Sequence, residues 1–201
     1  MKKIMLFAAA ILTAGMVSAQ VTYSLGYINT STTAKYEANV GGISMSSEKT
    51  TAMNGFTISV DDNINLAGDL NVAPGVGMDF SLRKDGDINY KKFGLYVPVD
   101  FNYGFALGSD LKLFIYAGPT FDLGLINDAK DDDGNKVNYY DPDNAVKYGR
   151  FDVLVGGGAW VTFQDQIRFK VGYKAGMLNV CKTDGYTVKN NVLSVSVGYV
   201  F

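Results

Sequence analysis

A strict alternation of apolar and other residues runs through most of the chain and constrains its fold more than any other feature. In the closing segment NNVLSVSVGYVF, every second residue from Leu193 to Phe201 is large and apolar. A period of two predicts a β-strand whose two faces have different surroundings. The alternation continues up to Phe201, which itself lies in the apolar register.

Seven further segments alternate in the same way, over residues 21–29, 56–66, 70–82, 93–107, 111–125, 151–163 and 167–177. No stretch that follows residue 19 shows the period of an amphipathic helix. Together with the closing segment, these patterns predict an all-β fold of eight antiparallel strands.

The connections between these segments fall into two groups. Three are short, with the sequences AGD, GSD and QDQ, and the others are longer and polar, including NDAKDDDGNKVNYYDPDNAVK. Successive connections of an up-and-down sheet lie at opposite ends, so the short turns are predicted to share one end. The longer segments, residues 30–54, 83–89, 127–147 and 181–190, are predicted to share the other. Membrane barrels have this asymmetry, with the long loops outside the cell.

The identity of the outer face decides between two kinds of barrel. A soluble ligand-binding barrel turns its apolar face inward, whereas a membrane barrel turns it outward. The apolar register holds several times more side chains than the roughly dozen that fill a packed eight-stranded interior. Nearly all strand glycines lie in the opposite register, Gly157 excepted, as expected for a crowded concave face. The strands also reach the ~9–11 residues that cross a bilayer, so a closed transmembrane barrel is predicted.

The N-terminal segment MKKIMLFAAAILTAGMVSAQ has the charge, apolar core and small residues of a secretory signal peptide. We predict cleavage after Ala19, which makes residues 1–19 the signal peptide and 20–201 the barrel domain. The alternative, a membrane anchor, is disfavoured because the apolar run is shorter than the ~20 residues a bilayer helix needs. The net charge of −2 becomes −4 once Lys2 and Lys3 are removed, so the chain has no basic footprint for nucleic acid.

The predicted signal peptide, the eight alternating strands and the closing VLSVSVGYVF resemble a known family. They are similar to the small outer-membrane β-barrel, or porin-family, proteins of Gram-negative bacteria, of the OmpX and OmpA-barrel type. The resemblance covers the whole chain. It implies an outer-membrane location at the cell surface, in contact with outer-membrane lipid. It also implies that Val197, Tyr199 and Phe201 form the signal that the barrel-assembly machinery reads.

Catalysis and metal binding find little support in the residues. The sequence contains no histidine, which removes the Ser-His and His-Asp arrangements that transfer protons in related membrane enzymes. Cys181 is the only cysteine and lacks a histidine to activate it. A calcium loop with Gly134 at its sixth position would begin at Ala129 and end at Tyr140, neither of which is a carboxylate. We therefore predict no enzyme activity, no cofactor and no metal.

Charged residues in the polar register are predicted to face the barrel lumen, where charges are tolerated chiefly in pairs. Catalysis by paired aspartates is the alternative, and a structural network of ion pairs is preferred. The predicted network comprises Asp61, Asp79, Arg83, Lys92, Asp100, Lys112, Asp122, Arg150, Asp152, Arg168, Lys170 and Lys174. Trp160 falls in the same register and is predicted to fill the lumen.

Eight strands enclose a space that side chains fill, whereas aqueous pores use about 16 strands or more. The sequence therefore favours a plugged barrel with a structural or surface-interaction role, its loops meeting an extracellular ligand or partner. A narrow passive channel for small polar solutes is the alternative, and a secreted, soluble, lipocalin-like barrel is a weaker one. Tyr139, Tyr140 and Tyr148 either bind a partner or lie at the lipid headgroups, and the second interpretation is preferred.

Overall fold

The computed structural model describes residues 20–40, 43–144 and 146–201, and the predicted signal peptide lies outside them. The described residues form ten strands, all paired in antiparallel fashion. This part of the chain contains no helix that is long and apolar enough to cross a bilayer. The strands are β1 (Val21–Val40), β2 (Ile43–Asp62), β3 (Ile64–Ala67), β4 (Leu70–Asp85), β5 (Ile88–Ala106), β6 (Leu111–Lys130), β7 (Lys136–Asn138), β8 (Phe151–Phe163), β9 (Ile167–Gly176) and β10 (Tyr186–Val200).

Eight of these strands close into a ring, in the order β2, β1, β10, β9, β8, β6, β5 and β4, with β4 pairing back onto β2. The first and last long strands are neighbours, with Tyr23 opposite Tyr199. The two short strands lie outside the ring order, β3 pairing with β4 and β7 with β6. The predicted eight-stranded, antiparallel, up-and-down barrel is confirmed.

The two faces of each strand differ as the alternation predicts. On β1, Tyr23, Leu25 and Tyr27 are about half exposed on the outside, whereas Thr22 is fully buried. The same contrast recurs round the ring, so the outer surface is apolar and the lumen holds the buried polar and charged groups. A band of apolar side chains on the outside is what a lipid environment stabilises.

Several strands extend beyond the predicted segments. Residues 30–54 were expected to form a loop, but β1 and β2 pair along their whole length, from Val21 opposite Asp62 to Val40 opposite Ile43. Residues 83–89 likewise form the ends of β4 and β5, joined by two residues. The expectation of loops was wrong here because polar residues on both faces hide the strand period. The many threonines of 30–51 nevertheless favour extended structure.

Glycines on the lumen face make room for aromatic rings from neighbouring strands. A Cβ at Gly77 would overlap the ring of Tyr96, and one at Gly172 would overlap the hydroxyl of Tyr116. The rings can therefore lie flat against the barrel wall and fill its interior. The apolar core of the lumen is correspondingly small, with Tyr116 and Trp160 buried against Ala73.

Candidate functional site

The end of the barrel that carries the turns Gly68–Asp69, 107–110 and 164–166 is called the turn end, and the opposite end the loop end. Near the turn end, β2 and β9 face each other across the lumen. Arg168 Nη1 donates to Asp61 Oδ1 at 2.5 Å, and the guanidinium lies 4.8 Å from the ring centroid of Trp160. Arg168 is 3% exposed and Trp160 1%. These three residues, called the arginine layer, place a compensated ion pair across the lumen.

Three asparagines lie beside the arginine layer, toward the turn end. Asn102 donates to Asn63 Oδ1 at 2.9 Å and accepts from Asn71 at 3.3 Å. Asn63 lines the same cavity of about 40 Å³ as Trp160 and Arg168. The neutral amides therefore satisfy one another's buried polar groups, as burial of such groups requires.

A second cluster lies nearer the middle of the lumen, around Asp100, which is 1% exposed. Its carboxylate accepts from Lys170 Nζ at 2.9 Å and from Lys174 Nζ at 2.7 Å. Lys174 also donates to Thr120 Oγ1 at 2.5 Å, and Lys170 lies 4.3 Å from the ring centroid of Tyr116. One carboxylate and the ring of Tyr116 thus share two ammonium groups. Sequence reasoning missed this role of Tyr116, although its position between Ile115 and Ala117 places it on the lumen face.

The loop-end half of the lumen contains a different arrangement of charges. Asp79, Lys92 and Asp122 line one cavity of about 10 Å³, and Asp79 Oδ1 is buried without a hydrogen-bond partner. Asp152 accepts hydrogen bonds from the amide of Val153 at 2.8 Å and from Asn190 at 3.2 Å. In the described part of the chain, these three aspartates form no ion pair within 4.0 Å.

Three other bases of the predicted network bind groups outside it. Arg83 pairs with Asp85 at 2.7 Å and Lys112 with Asp165 at 2.9 Å, both at exposed ends of strands. Arg150 donates to the backbone carbonyls of Gly124 and Leu125, at 3.4 and 3.0 Å. The structure therefore brings together Asp61 with Arg168, and Asp100 with Lys170 and Lys174, but leaves the other predicted residues apart from these pairs.

A cavity of about 220 Å³ opens at the loop end and is called the tyrosine vestibule, after Tyr90, Tyr139, Tyr140 and Tyr148, which line it. The segment between β7 and β8 folds into the barrel mouth, so that the hydroxyl of Tyr140 occupies the space where Gly124 has no side chain. The preferred expectation that the loop tyrosines lie at the lipid headgroups was wrong. They face the interior of the mouth instead.

Neighbouring side chains hold the vestibule tyrosines in place. The guanidinium of Arg150 lies 4.6 Å from the ring centroid of Tyr140, and the rings of Tyr139 and Tyr148 meet edge to face at 5.6 Å. Burial, with a smaller effect from the charge of Asp122, raises the pKa of Tyr140 to about 12. Burial also raises the pKa of Tyr139 and Tyr148 above the ordinary 10.0. The three hydroxyls are therefore neutral donors and acceptors at physiological pH.

The cavities on either side of the arginine layer differ in what lines them. A central cavity of about 90 Å³ is bordered by Asp61, Asp79, Asp100 and Asp122, and Asp122 also lines the vestibule. The 40 Å³ cavity at the turn end shares no lining residue with the central one. The arginine layer lies between the two.

The residues of the predicted assembly signal lie together on the outer surface. Val197 and Tyr199 are each 47% exposed and Phe201 is 70% exposed. The ring of Phe201 contacts those of Tyr199 and Tyr23, with centroids 4.8 and 5.4 Å apart. These side chains present an aromatic patch at the closing seam of the barrel, and their role in assembly stays a prediction.

The acidic loop around Gly134, which lacks the end carboxylates of a calcium site, is held by its own hydrogen bonds. Asp131 accepts from the backbone and side-chain nitrogens of Asn135, at 2.7 and 2.8 Å. Within the described ranges, no group of three or more carboxylate, cysteine or histidine side chains is arranged to bind a metal. Cys181 is buried against Val180 and Val188.

Comparisons with known proteins agree with the barrel fold. Among solved structures, the chain is similar to the outer membrane protein OprG from Pseudomonas aeruginosa, with a TM-score of 0.52 and 9% identity, over 92% of this chain and 96% of that one. It is also similar to Ail, the attachment invasion locus protein of Yersinia pestis, with a TM-score of 0.44 and 14% identity, over 92% and 99%. The outer membrane enzyme PagL is a third, with a TM-score of 0.46 and 12% identity, over 89% and 98%.

No curated protein sequence matches the chain. The model of the outer membrane protein β-barrel domain, in contrast, matches residues 6–201, which is nearly the whole chain. The chain belongs to the outer membrane protein β-barrel domain family.

Proposed function

We propose that this protein is a non-conducting barrel of the Gram-negative outer membrane, with a structural or surface-interaction role at its loop end. In this proposal a cleaved signal peptide exports the chain, the barrel-assembly machinery inserts it, and the loop end faces the outside of the cell. The observation that carries the proposal is the arginine layer, which spans the lumen with buried and compensated charges.

The arginine layer supports a closed lumen on physical grounds. A passing ion would have to displace the bond between Arg168 and Asp61, and this would leave both buried charges without their partner. Trp160 fills the adjacent space under the guanidinium. An eight-stranded barrel has an interior that side chains just fill, so little room remains for an aqueous path.

The loop end is the part of the barrel with room for a partner. It holds the paired extensions of β1 and β2, the segment between β7 and β8, and the tyrosine vestibule. The short turns of the other end resemble the periplasmic turns of membrane barrels. We propose a binding rather than a catalytic role, because the chain has no histidine to transfer protons.

A narrow passive channel is the second candidate, and one observation favours it. Among the described residues, Asp79 and Asp122 border the central cavity without forming ion pairs, and such carboxylates would attract cations into the loop-end half of the lumen. A soluble lipocalin-like barrel has less support, because large apolar side chains such as Phe101 and Phe169 are more than half exposed on the outside.

Conductance in planar bilayers distinguishes the closed barrel from the channel. We expect no stable, reproducible current from the wild-type protein. The variant Arg168→Ala/Trp160→Ala, which removes the arginine layer, should show discrete openings. Phe169→Ala, on the outer face of the same strand, is the matched control and should remain silent. A robust, ion-selective current through the wild-type protein would overturn the closed barrel and favour the channel.

A further inference from the structure

The hydroxyl groups of the tyrosine vestibule are available to a ligand. Tyr90, Tyr139, Tyr140 and Tyr148 all line the cavity, and none of their hydroxyls makes a hydrogen bond to another described residue. Tyrosines that are partly buried usually find such a partner. Four tyrosines round one cavity, whose hydroxyls are free of bonds within the described chain, can therefore bond to polar groups from outside it.

The other groups that line the vestibule add donors and acceptors of several kinds. The amide of Asn127 and the hydroxyl of Thr51 border the cavity, and Lys92 lies deeper within it. Thr32 and Asn190 also line it but already bond to each other at 2.8 Å. Amides and hydroxyls both donate and accept, so this set suits a ligand whose own groups also do both. The faces of the tyrosine rings offer apolar surface beside these polar groups.

The charges of the vestibule argue against a strongly ionic ligand. Lys49, Lys92 and Arg150 line it together with Asp122 and Asp152, so the two signs nearly balance. The guanidinium of Arg150 already binds two backbone carbonyls and stacks on Tyr140. An anion would therefore bind only weakly to that arginine, and a cation would be repelled by Lys49 and Lys92.

The cavity, which is open at the barrel mouth, has room for a single ring. A volume of about 220 Å³ corresponds to roughly seven water molecules at about 30 Å³ each. A neutral ring that bears several hydroxyl groups and one apolar face fits both the volume and the chemistry.

We propose that the tyrosine vestibule binds one pyranose sugar ring, as a free monosaccharide or as the terminal sugar of a cell-surface glycan. This inference rests on the proposed function, because it requires the loop end to face the outside of the cell. The C–H face of the sugar packs on a tyrosine ring, and its hydroxyls bond to the tyrosine hydroxyls and the amide of Asn127. The segment between β7 and β8 supplies three of the four tyrosines, so it determines which sugar fits.

Two neighbouring threonines of β2 provide a matched pair of variants. Thr51 lines the vestibule, whereas Thr50 is exposed on the opposite face of the same strand. Phenylalanine is compatible with a strand at either position. Thr51→Phe fills the cavity with an apolar ring, and Thr50→Phe adds the same ring outside it.

The test is saturation-transfer NMR on the full mature barrel, folded in detergent micelles, with glucose, galactose, mannose and N-acetylglucosamine as probes. We expect at least one sugar to bind, with at least tenfold weaker binding to Thr51→Phe and a change of less than twofold for Thr50→Phe. If Thr51→Phe does not fold, Tyr139→Phe/Tyr148→Phe removes two hydroxyls only and should weaken binding several-fold. The inference would be overturned if neither the four sugars nor purified lipopolysaccharide bound to the protein. Binding by Thr51→Phe, or by its substitute variant, equal to that of the wild-type protein would also overturn it.

A parallel arm with purified lipopolysaccharide distinguishes the two sources of the sugar. Binding of free monosaccharides supports a soluble ligand, whereas Thr51-dependent binding of lipopolysaccharide alone supports a glycan terminus. The conductance experiment uses no sugar. A silent barrel that binds no sugar would therefore overturn this inference and leave the proposed function standing.

Discussion

Asp61→Ala removes the counter-charge of a buried arginine and is expected to lower the free energy of unfolding substantially. Arg168 is 3% exposed, and its Nε is already without a hydrogen-bond partner. Two charges about 4 Å apart at an effective dielectric constant of about 20 attract by about 4 kcal/mol. Breaking a buried pair on one side costs about 3–5 kcal/mol. Because Asp61 borders the central cavity, removal of its side chain lets water reach Arg168 from that cavity, and we expect a loss of about 3 kcal/mol.

Urea unfolding of the barrel in lipid vesicles, followed by tryptophan fluorescence, measures this loss. Trp160 is the only tryptophan, and its ring lies 4.8 Å from the arginine. Ser196→Ala, which also borders the central cavity, is the control and should cost less than about 1 kcal/mol. Asp61→Leu/Arg168→Met, which replaces both charges, should be nearly neutral or stabilising. A loss below about 1 kcal/mol for Asp61→Ala, or a large loss for the double variant, would refute the reasoning.

Two further predictions concern the outer face and the loop end. Val99→Arg should lower the stability of the barrel in lipid vesicles by about 2–4 kcal/mol, because it places a charge on the lipid face, whereas Val99→Thr should cost much less. Equal losses for the two variants in the same urea assay would contradict the outward assignment. Hydrogen bonds from Asn135 hold the pKa of Asp131 below its ordinary 3.8. The turn is therefore stabilised above pH 3.8 and loses this stabilisation as the pH falls through the lowered pKa. An NMR titration should show the pKa returning toward 3.8 in Asn135→Ala, and an unchanged pKa would count against these bonds.

The barrel and its two faces could be predicted from the sequence because lipid and lumen impose different chemistry on alternate residues. The predicted segment 151–163 matches β8 at both ends. The predicted segment 93–107 ends one residue later than β5 at the turn end. Such a pattern is strong only where one face meets lipid. It disappears in β1 and β2 beyond residue 30, where polar residues lie on both faces, and the strand ends there could not be located.

The individual contacts of the lumen could not be predicted in the same way. Alternation places Asp61 and Arg168 on the inner face, but their contact depends on the tilt and register that bring β2 opposite β9. The same limit applies to Arg83 and Lys112, whose partners lie in or beside the turns. Insertion of Tyr140 into the mouth depends on Gly124 leaving space, which is a tertiary contact between a loop and the neighbouring strand β6.

The most direct test of the central claim is to determine which end of the barrel faces the outside of the cell. A short epitope inserted after Asp143 lies in the exposed segment between β7 and β8, at the mouth of the vestibule, and one inserted after Ser109 lies in a short turn at the other end. Antibody labelling of intact cells should detect the epitope after Asp143, and the epitope after Ser109 only once the outer membrane is permeabilised. Labelling of Ser109 but not Asp143 on intact cells would contradict the account, because the vestibule would then face the periplasm.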